Sequence, residues 1–569
     1  MRSNIAGILI IVMLLFLFFS LFNLQVIQGG KFRQLSDKNC IRLLPQLGSR
    51  GKILDRNGEI IVSNKLSYDV MVLPQEAKKL DAVLLSVSRV LDADFKSLKK
   101  AYKAGFVSSS LPVTIKRNID LKKAIILAEK KLELPSVIIQ PNPVRDYPYG
   151  KLACHIIGYI NEIDHWRLTK LQDYGYNTKD LVGFGGIEEK FDYYLRQEEG
   201  GLSFEVNHKG RFVRVLGFRP PKNGKDIQLT IDLNIQKIVE DKLGERNGAC
   251  IIMNPNTGEI IALASAPSFD PADFVERSAS ISGLFSDKDA PLMNRAISNT
   301  YPPASIFKAI MATAGLETKK INLSTTILCQ GQTLVGNRKF ACWTTHGEQN
   351  IYDALAHSCD IYFYKTGLSL GAQTIYDYAI KFGLAKVTSL ELPYEAGGFV
   401  PSPLWRKLHK FQNWYDGDTA NFSIGQGEVL VTPIQMVRMM AVFANKGYLV
   451  SPSIIKSIAG KAVATRQKKN SDLSLKPNTI AIVRKGLRDV VVYPSGTGNV
   501  LSTLPVSVAG KTGTAQTSRN STHAWFAGFF PYEEPKYVIC VLLEHGGPGY
   551  ASTVLAKQII EEMVNKNLL

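Results

Sequence analysis

Two prolines and the run that follows them constrain this chain more than any other stretch: Tyr301-Pro302-Pro303-Ala304-Ser305-Ile306-Phe307-Lys308. Proline is well tolerated at or just before a helix start, and it closes off whatever precedes it. From Ile306 to Leu316 the only breaker is Gly315, so the run predicts a mostly apolar, buried helix. Ser305 then lies at or near a helix N-terminus, where backbone N–H groups and the macrodipole favour developing negative charge. Lys308 falls one turn later on the same face. A serine hydroxyl is a poor nucleophile until a neighbour takes its proton. A lysine held neutral by burial or by another cation can do that. Read alone, the pair fits a plain helix start with an exposed lysine.

Two later stretches change that reading: Ser358-Cys359-Asp360, and Lys511-Thr512-Gly513-Thr514. Val506 to Gln516 alternates well enough to be a strand, in which Gly513 lets another backbone approach closely. The order S-x-x-K, S-x-[ND], K-T-G resembles that of the penicillin-recognising serine acyl-transferases. The resemblance implies Ser305 as nucleophile, Lys308 as general base, and Lys511 as a cation that helps keep Lys308 neutral. The Ser358 hydroxyl would pass a proton between Lys308 and the leaving amine. Asp360 would orient a lysine or accept from a substrate amide. Thr512 and Thr514 would hold a substrate carboxylate beside Gly513, and the N–H groups of Ser305 and Thr514 would form an oxyanion hole.

At 569 residues the chain is too long for one core, so two or three domains are expected. With 45% hydrophobic and 21% charged residues it is ordinary globular material, with no repeat or low-complexity tract. A net charge of +18 suits a chain working beside anionic lipid or an acidic wall polymer. Nucleic acid is the usual alternative, but no aromatic–basic interleaving supports it. Ile5 to Phe22 carries no charge. At about 1.5 Å per residue it spans roughly 27 Å, close to the hydrocarbon thickness of a bilayer. A cleavable signal would have a shorter apolar core and a small-x-small site, so an uncleaved, single-pass signal anchor is expected. Arg2 precedes the helix while Lys31, Arg33 and Lys38 follow it, which leans against a cytoplasmic N-terminus. The motif chemistry demands an outside catalytic domain, and a tail of residues 1–4 is easily left inside.

Between anchor and catalytic region the chain is rich in turns and holds no nucleophile–base pair. Ile53 to Val62 reads as a hairpin about Asn57-Gly58, and Leu121 to Leu134 as a lysine-rich helix. Arg50-Gly51-x-Ile53-x-Asp55-Arg56-Asn57-Gly58 resembles the first sequence box of class B penicillin-binding proteins. Arg145 to Gly150, His155 to Tyr159 and Gly185 to Glu188 are similar to later boxes of the same pedestal. Ser358-Cys359-Asp360 followed by Ile361-Tyr362-Phe363-Tyr364 is most similar to the penicillin-binding protein 2 subgroup, the elongation-specific enzymes. The family implies a D,D-transpeptidase of the inner membrane, facing the periplasm, that cross-links peptidoglycan stems and is acylated by β-lactams. It also implies a membrane-embedded glycan polymerase of the RodA type and a scaffold of the MreC type as partners. No polymerising region precedes the pedestal, so that activity is expected from another protein. The expected division is a cytoplasmic tail 1–4, an anchor 5–27, a pedestal (dimerisation) domain 28–224 and a transpeptidase domain 225–569.

In the last of these, Cys250 to Leu263 reads as a second hairpin about Pro255-Asn256-Thr257-Gly258, followed by a loop, Ala266 to Pro271, that matches the family's. Strands are expected over Val506–Gln516, Ala524–Phe530 and Tyr537–Leu543, with a closing helix over Ser552–Val564. The expected fold class is α/β: a penicillin-recognising domain with a five-stranded antiparallel sheet and helices on both faces, plus an elongated α+β pedestal and one transmembrane helix. Ser423-Ile424-Gly425-Gln426-Gly427 resembles a family segment near the cleft, though by itself it reads as a turn.

Seven cysteines cannot all pair within one chain. Cys250 and Cys540 fall in apolar strands and read as small core residues; Cys40 and Cys154 carry no signal, and His155 reads as packing or hydrogen-bonding in the pedestal. Cys329, Cys342, His346 and Cys359 form C-x12-C-x3-H-x12-C. Cys3His is a closed tetrahedral set for structural zinc. Some penicillin-binding protein 2 enzymes bind zinc between these motifs through carboxylates, a histidine and the cysteine of S-C-D. Here Cys329 and Cys342 stand where carboxylates would be expected. A Cys329–Cys342 disulfide is the alternative in an oxidising compartment. Acyl transfer itself needs no metal. Two functions rival the transpeptidase: a carboxypeptidase or β-lactamase with water as acceptor, and a mainly non-catalytic activator or sensor. A hydrolase needs neither anchor nor pedestal, and a sensor needs several spans and a cytoplasmic effector.

Overall fold

The computed structural model describes residues 2–33, 41–77, 79–106, 112–207, 212–276, 278, 280–463, 470–517 and 521–569. Lys38 and Cys40 lie outside the described residues. Helix Arg2–Phe22 continues as a π-helical turn over Asn23–Ile27. Within it Gly7–Ile27 is long and apolar enough to cross a membrane, the one such helix among the described residues. The remainder forms two compact units.

The smaller unit takes in residues 64–144 and 196–224, besides the chain's first 51 residues. Part of it is a three-stranded antiparallel sheet of Ile41–Gln46, Gly200–Val206 and Phe212–Arg219. The other part lays helices Leu80–Leu91, Phe95–Gly105 and Leu121–Glu129 on strands that include Val113–Ile119. Val70, Val72, Leu84, Val87, Leu98, Val113 and Leu127 form its core. Asp94 and Asp120 cap their helices by accepting from Ser97 N and Lys123 N. The helix expected to reach Leu134 ends at Glu129 and tightens into a 3-10 turn over Lys130–Leu132. The lysines there prefer solvent, and the chain returns to the core beyond them at Leu134 and Val137.

Residues 52–63 and 145–195, expected with the pedestal, pack instead with 225–569. The cause is burial: Ile53, Ile156, Ile157 and Ile187 share one core with Ile251 and Ile306. The Asn57-Gly58 hairpin is present, with Ile53 opposite Val62 and the Asp55 carboxylate accepting from Asn57 N and Glu59 N. Arg145 and Glu188, from two of the sequence boxes, meet in an ion pair of 2.7 Å with both side chains fully buried.

The elements that carry the site are, in chain order, α1 (Leu233–Leu243), β1 (Gly248–Met253), β2 (Ile260–Ala266), α2 (Lys308–Glu317), α3 (Asp360–Leu370), α4 (Asp416–Ser423), α5 (Pro433–Ala444), α6 (Pro477–Val492), β3 (Ala509–Gln516), β4 (Thr522–Phe530), β5 (Tyr537–Leu543) and α7 (Tyr550–Asn565). The strands form one antiparallel sheet in the order β2-β1-β5-β4-β3, which leaves β3 at an edge. Every residue of β1 is buried, and alternate ones enter different cores. Cys250 and Ile252 join α1 and α7 residues, whereas Ile251 and Met253 join Met436, Val437 and Met440 of α5. A sheet covered on both faces is the expected arrangement, and it explains why its strands read as apolar runs. Cys250 and Cys540 are buried, free thiols, as expected of core residues. Strand β3 begins at Ala509, three residues later than expected, because Val506 to Val508 still belong to the approaching loop.

Candidate active site

Three buried segments converge at the exposed edge of the sheet. The first is the turn before α2. Tyr301 pairs with Val431, and the Pro302 carbonyl accepts from the Trp525 indole at 3.0 Å, which ties the turn to β4. Ala304 then adopts a left-handed backbone, φ +49°, and its N–H donates to the Gly425 carbonyl at 2.9 Å. An alanine there is strained and persists only where its surroundings hold it. Ser305 follows in a 3-10 turn, Ala304–Phe307, one turn ahead of α2 rather than on its first residue, and it is part-exposed between buried neighbours.

Lys308 is fully buried. Its Nζ donates to the Ser358 carbonyl at 2.8 Å, to Ser358 Oγ at 3.2 Å and to Asp360 Oδ1 at 2.6 Å. Three oxygens thus surround the amine, one of them the hydroxyl of the second motif. Ser358 sits in a second left-handed turn, φ +55°, between helix Ile351–Ala356 and α3. Lys511 of β3 is fully buried too. Burial and the Lys308 charge push its pKa well below the ordinary lysine value, against the pull of Asp360. Two buried amines thus share one carboxylate. Asp360 makes its hydrogen bond to Lys308, and Lys511 is the amine whose pKa is lowered.

On β3 a Cβ at Gly513 would touch Ala304 and Ile306 at 3.4 Å, so this glycine lets the strand lie against the serine turn. Thr514 is exposed and its hydroxyl accepts from Gly549 N at 2.9 Å. Thr512 is mostly buried and donates to Thr497 Oγ1 at 2.8 Å. Thr497 belongs to none of the sequence motifs; its one local signal is the flanking pair Gly496 and Gly498, which marks a tight loop.

The cysteine–histidine group assembles as well. Short ribbons, Ile327–Cys329 with Gly347–Gln349 and Gln332–Val335 with Arg338–Ala341, carry three of its members to Cys359. His346 Nδ1 lies 3.5 Å from the sulfurs of Cys329 and Cys342, and the four candidate ligand atoms lie within 4.8 Å of one another. Nε2 of His346 is buried without a partner, so the ring meets the group through Nδ1. Cys342 Sγ accepts from Asp360 N at 3.3 Å, and a hydrogen bond from Cys359 lowers the Cys342 thiol to about 5 while raising Cys359. Cys329 and Cys342 are both free, with no bridge between them. This donor set fits zinc. Cys154 and His155 lie apart from it: both are buried, and His155 Nε2 donates to the Pro291 carbonyl at 2.7 Å. Burial pushes the Cys154 thiol up, which leaves it inert.

The chain resembles known proteins over nearly its whole length. Residues 248–565 match the penicillin binding protein transpeptidase domain, and residues 45–229 the penicillin-binding protein dimerisation domain. The peptidoglycan D,D-transpeptidase MrdA of Escherichia coli K12 is 31% identical over 596 residues, covering 99% of this chain and 94% of the relative. PBP2 from Helicobacter pylori, solved in complex with MreC, superposes with a TM-score of 0.83 at 28% identity, over 93% of this chain and 99% of that one. A chain of a peptidoglycan synthase complex that coordinates polymerization and crosslinking superposes with a TM-score of 0.74 at 27% identity, over 98% and 97%. With its fold, its dimerisation region and its full-length relatives in agreement, the chain belongs to the class B penicillin-binding proteins of the PBP2 type and is a peptidoglycan D,D-transpeptidase of cell elongation.

Proposed function

We propose that the chain makes its cross-links through an acyl-enzyme on Ser305. The observation that carries this is the part-exposed Ser305 beside a fully buried Lys308 that already touches Ser358 and Asp360. Ser305 Oγ attacks the carbonyl carbon of the penultimate D-alanine while its proton passes to a neutral Lys308. The oxyanion lies between the N–H groups of Ser305 and Thr514. Collapse breaks the peptide bond, and the departing D-alanine amine takes its proton from Lys308 through Ser358. An amine of a second stem peptide then attacks the ester and restores the serine. Water in place of that amine gives the carboxypeptidase reaction.

Lys308 needs a free lone pair to begin. Two buried lysines and one carboxylate cannot comfortably hold two protons. A substrate carboxylate arriving at Thr512 and Thr514 favours the charged form of Lys511, and repulsion then disfavours the proton on Lys308. Substrate binding thus arms the base.

Cys329, Cys342, His346 and Cys359 hold one structural zinc ion in this reading. Bound there it supplies no acyl-transfer chemistry and ties the two ribbons to the second motif. The apolar helix anchors the chain in the inner membrane with the catalytic unit in the periplasm, where peptidoglycan is made. Residues 28–224 meet an MreC-type scaffold and a RodA-type polymerase; the neighbours solved with MreC and within a synthase complex support this.

The test is intact-mass detection of a penicilloyl adduct with the modified peptide mapped. The adduct is expected on Ser305 and should vanish in Ser305→Ala. Labelling elsewhere, or undiminished labelling of that variant, would overturn the assignment.

A further inference from the structure

The stretch Phe422–Gly427, at the end of α4, touches the serine turn, α3 and β3. The Phe422 ring stacks on Phe307 of the serine turn, with centroids 5.6 Å apart. Ser423 is fully buried where α3 offers Gly367; any Cβ on that glycine would collide with the serine. This seats the stretch on the helix that begins with Asp360. Gly425 has φ +69°, and a Cβ there would run into the Ala304 carbonyl and the Phe307 side chain. The bare backbone therefore lies flat on the turn, and its carbonyl accepts from Ala304 N at 2.9 Å, holding the strained residue that precedes Ser305. One residue on, Gln426 Nε2 donates to the Thr514 carbonyl at 3.3 Å.

The last contact has a chemical consequence. In a strand the N–H and C=O of one residue project to the same edge. Thr514 lies on the edge strand β3, so the carbonyl that Gln426 holds and the N–H assigned to the oxyanion hole face the same way. Gly425 fixes the turn that carries one donor of the hole, and Gln426 fixes the peptide edge that carries the other. We propose that Phe422–Gly427 is a fourth element of the site and that Gln426 is a positioning residue that sets the Thr514 N–H for the oxyanion. The inference rests on the acyl-enzyme reading of Ser305.

The carbonyl keeps a second lone pair, so a stem peptide laid along β3 can use it while Gln426 stays bound. Gln426 therefore acts on the rate of acylation rather than on the initial binding of the acyl donor.

The experiment uses the full chain in detergent and a fluorescent penicillin, with stopped-flow data resolved into binding and acylation. Gln426→Ala should slow acylation about tenfold, the loss of one modest hydrogen bond, with initial binding and melting temperature unchanged. Gln426→Glu keeps the shape but cannot donate when ionised, and its charge opposes the oxyanion, so at neutral pH it should be slower still. Protonation restores a donor. The ratio of its rate to that of the parent chain should therefore recover as pH falls towards the ordinary Glu value of about 4.3. Rates within twofold of the parent in both variants would overturn the proposal. So would parallel losses of rate and melting temperature with a ratio that does not respond to pH. Ser305→Ala separates the two readings. Labelling that survives it defeats the acyl-enzyme assignment, while labelling that it abolishes but Gln426 variants leave untouched defeats this inference alone.

Discussion

Two buried ionic clusters in the larger unit look alike in composition and differ in balance. At Arg145–Glu188 one guanidinium meets one carboxylate at 2.7 Å, and both side chains are fully buried. At Lys308–Asp360 the distance is 2.6 Å, the carboxylate is 18% exposed, and Lys511 stands by as a second buried amine. The first matches one cation to one anion, and an arginine does not release its proton. The second sets two buried amines beside one carboxylate, and the amine that Asp360 does not hold has its pKa lowered. Balance marks a structural pair; imbalance, next to a part-exposed serine, marks chemistry. The same contrast suits the lysine proposed as base, since lysine shifts its pKa readily on burial and arginine does not.

The comparison is most easily broken at Lys308. Lys308→Ala should slow acylation by about 10²–10⁴-fold, the usual worth of general-base assistance. Lys308→Arg should be nearly as slow, because a guanidinium stays charged and cannot accept the serine proton. Both variants should remain folded by circular dichroism. A Lys308→Arg chain that acylates at parental rate would show that the lysine serves as a fixed charge only. At the balanced pair the outcome should be the opposite. Glu188→Gln removes the carboxylate that the buried Arg145 guanidinium meets at 2.7 Å, and breaking a buried pair in this way costs about 3–5 kcal/mol in stability. The fraction that stays folded should acylate normally. Denaturant unfolding and active-site titration, run together, separate the two effects, and a rate loss per folded molecule would contradict a purely structural role.

Lys511 gives the comparison a pH axis. An unfolded lysine keeps its proton up to about pH 10.4. In the fold burial and Lys308 lower that value, so between the two the unfolded chain binds more protons. Stability should then rise with pH through that window and stay level below it, where both states hold the proton. Lys511→Met removes the group, and replacing a buried charge with an apolar side chain of similar volume is often neutral or stabilising. The variant should melt at or above the parental temperature, lose the alkaline part of the pH slope and acylate poorly. A parental pH slope in Lys511→Met would assign the effect to another group.

Much of this architecture is legible in the residues themselves. The strands that read as apolar runs are those buried on both faces, and Tyr537–Leu543 has the bounds its sequence suggests. The three catalytic segments are legible because each needs fixed residue types at fixed spacing. The packing of residues 52–63 and 145–195 is not, since chain order suggests one pedestal while Ile156 and Ile187 are drawn into a core formed mostly by later residues. Gln426 reads as part of a turn because its contact with Thr514 spans 88 positions, and nothing local encodes it. The electrostatics are the hardest to foresee. That Asp360 pairs with Lys308 rather than Lys511 depends on where a left-handed Ser358 aims the start of α3.

The cysteine group supplies a third case, smallest in expected effect. Its three sulfurs and His346 Nδ1 lie within 4.8 Å of one another, four metal-ligating donors with no cationic side chain among them. In the proposed reading this donor set suits a structural metal rather than a moving proton. Cys359 lies between Ser358 and Asp360, so whatever holds its sulfur also holds the relay serine and the partner of Lys308. Losing one ligand should cost metal and stability together, since ligation free energy is folding free energy. Cys359→Ser should lower both the melting temperature and the acylation rate, though by less than Lys308→Ala. A chelator should do the same to the parent chain and have no further effect on the variant. A disulfide between Cys329 and Cys342 predicts the reverse: reductant would matter and chelator would not. Elemental analysis of protein purified without added metal decides. Strongly substoichiometric zinc, with Cys329 and Cys342 oxidised by thiol titration, would leave imbalance as a mark of chemistry alone.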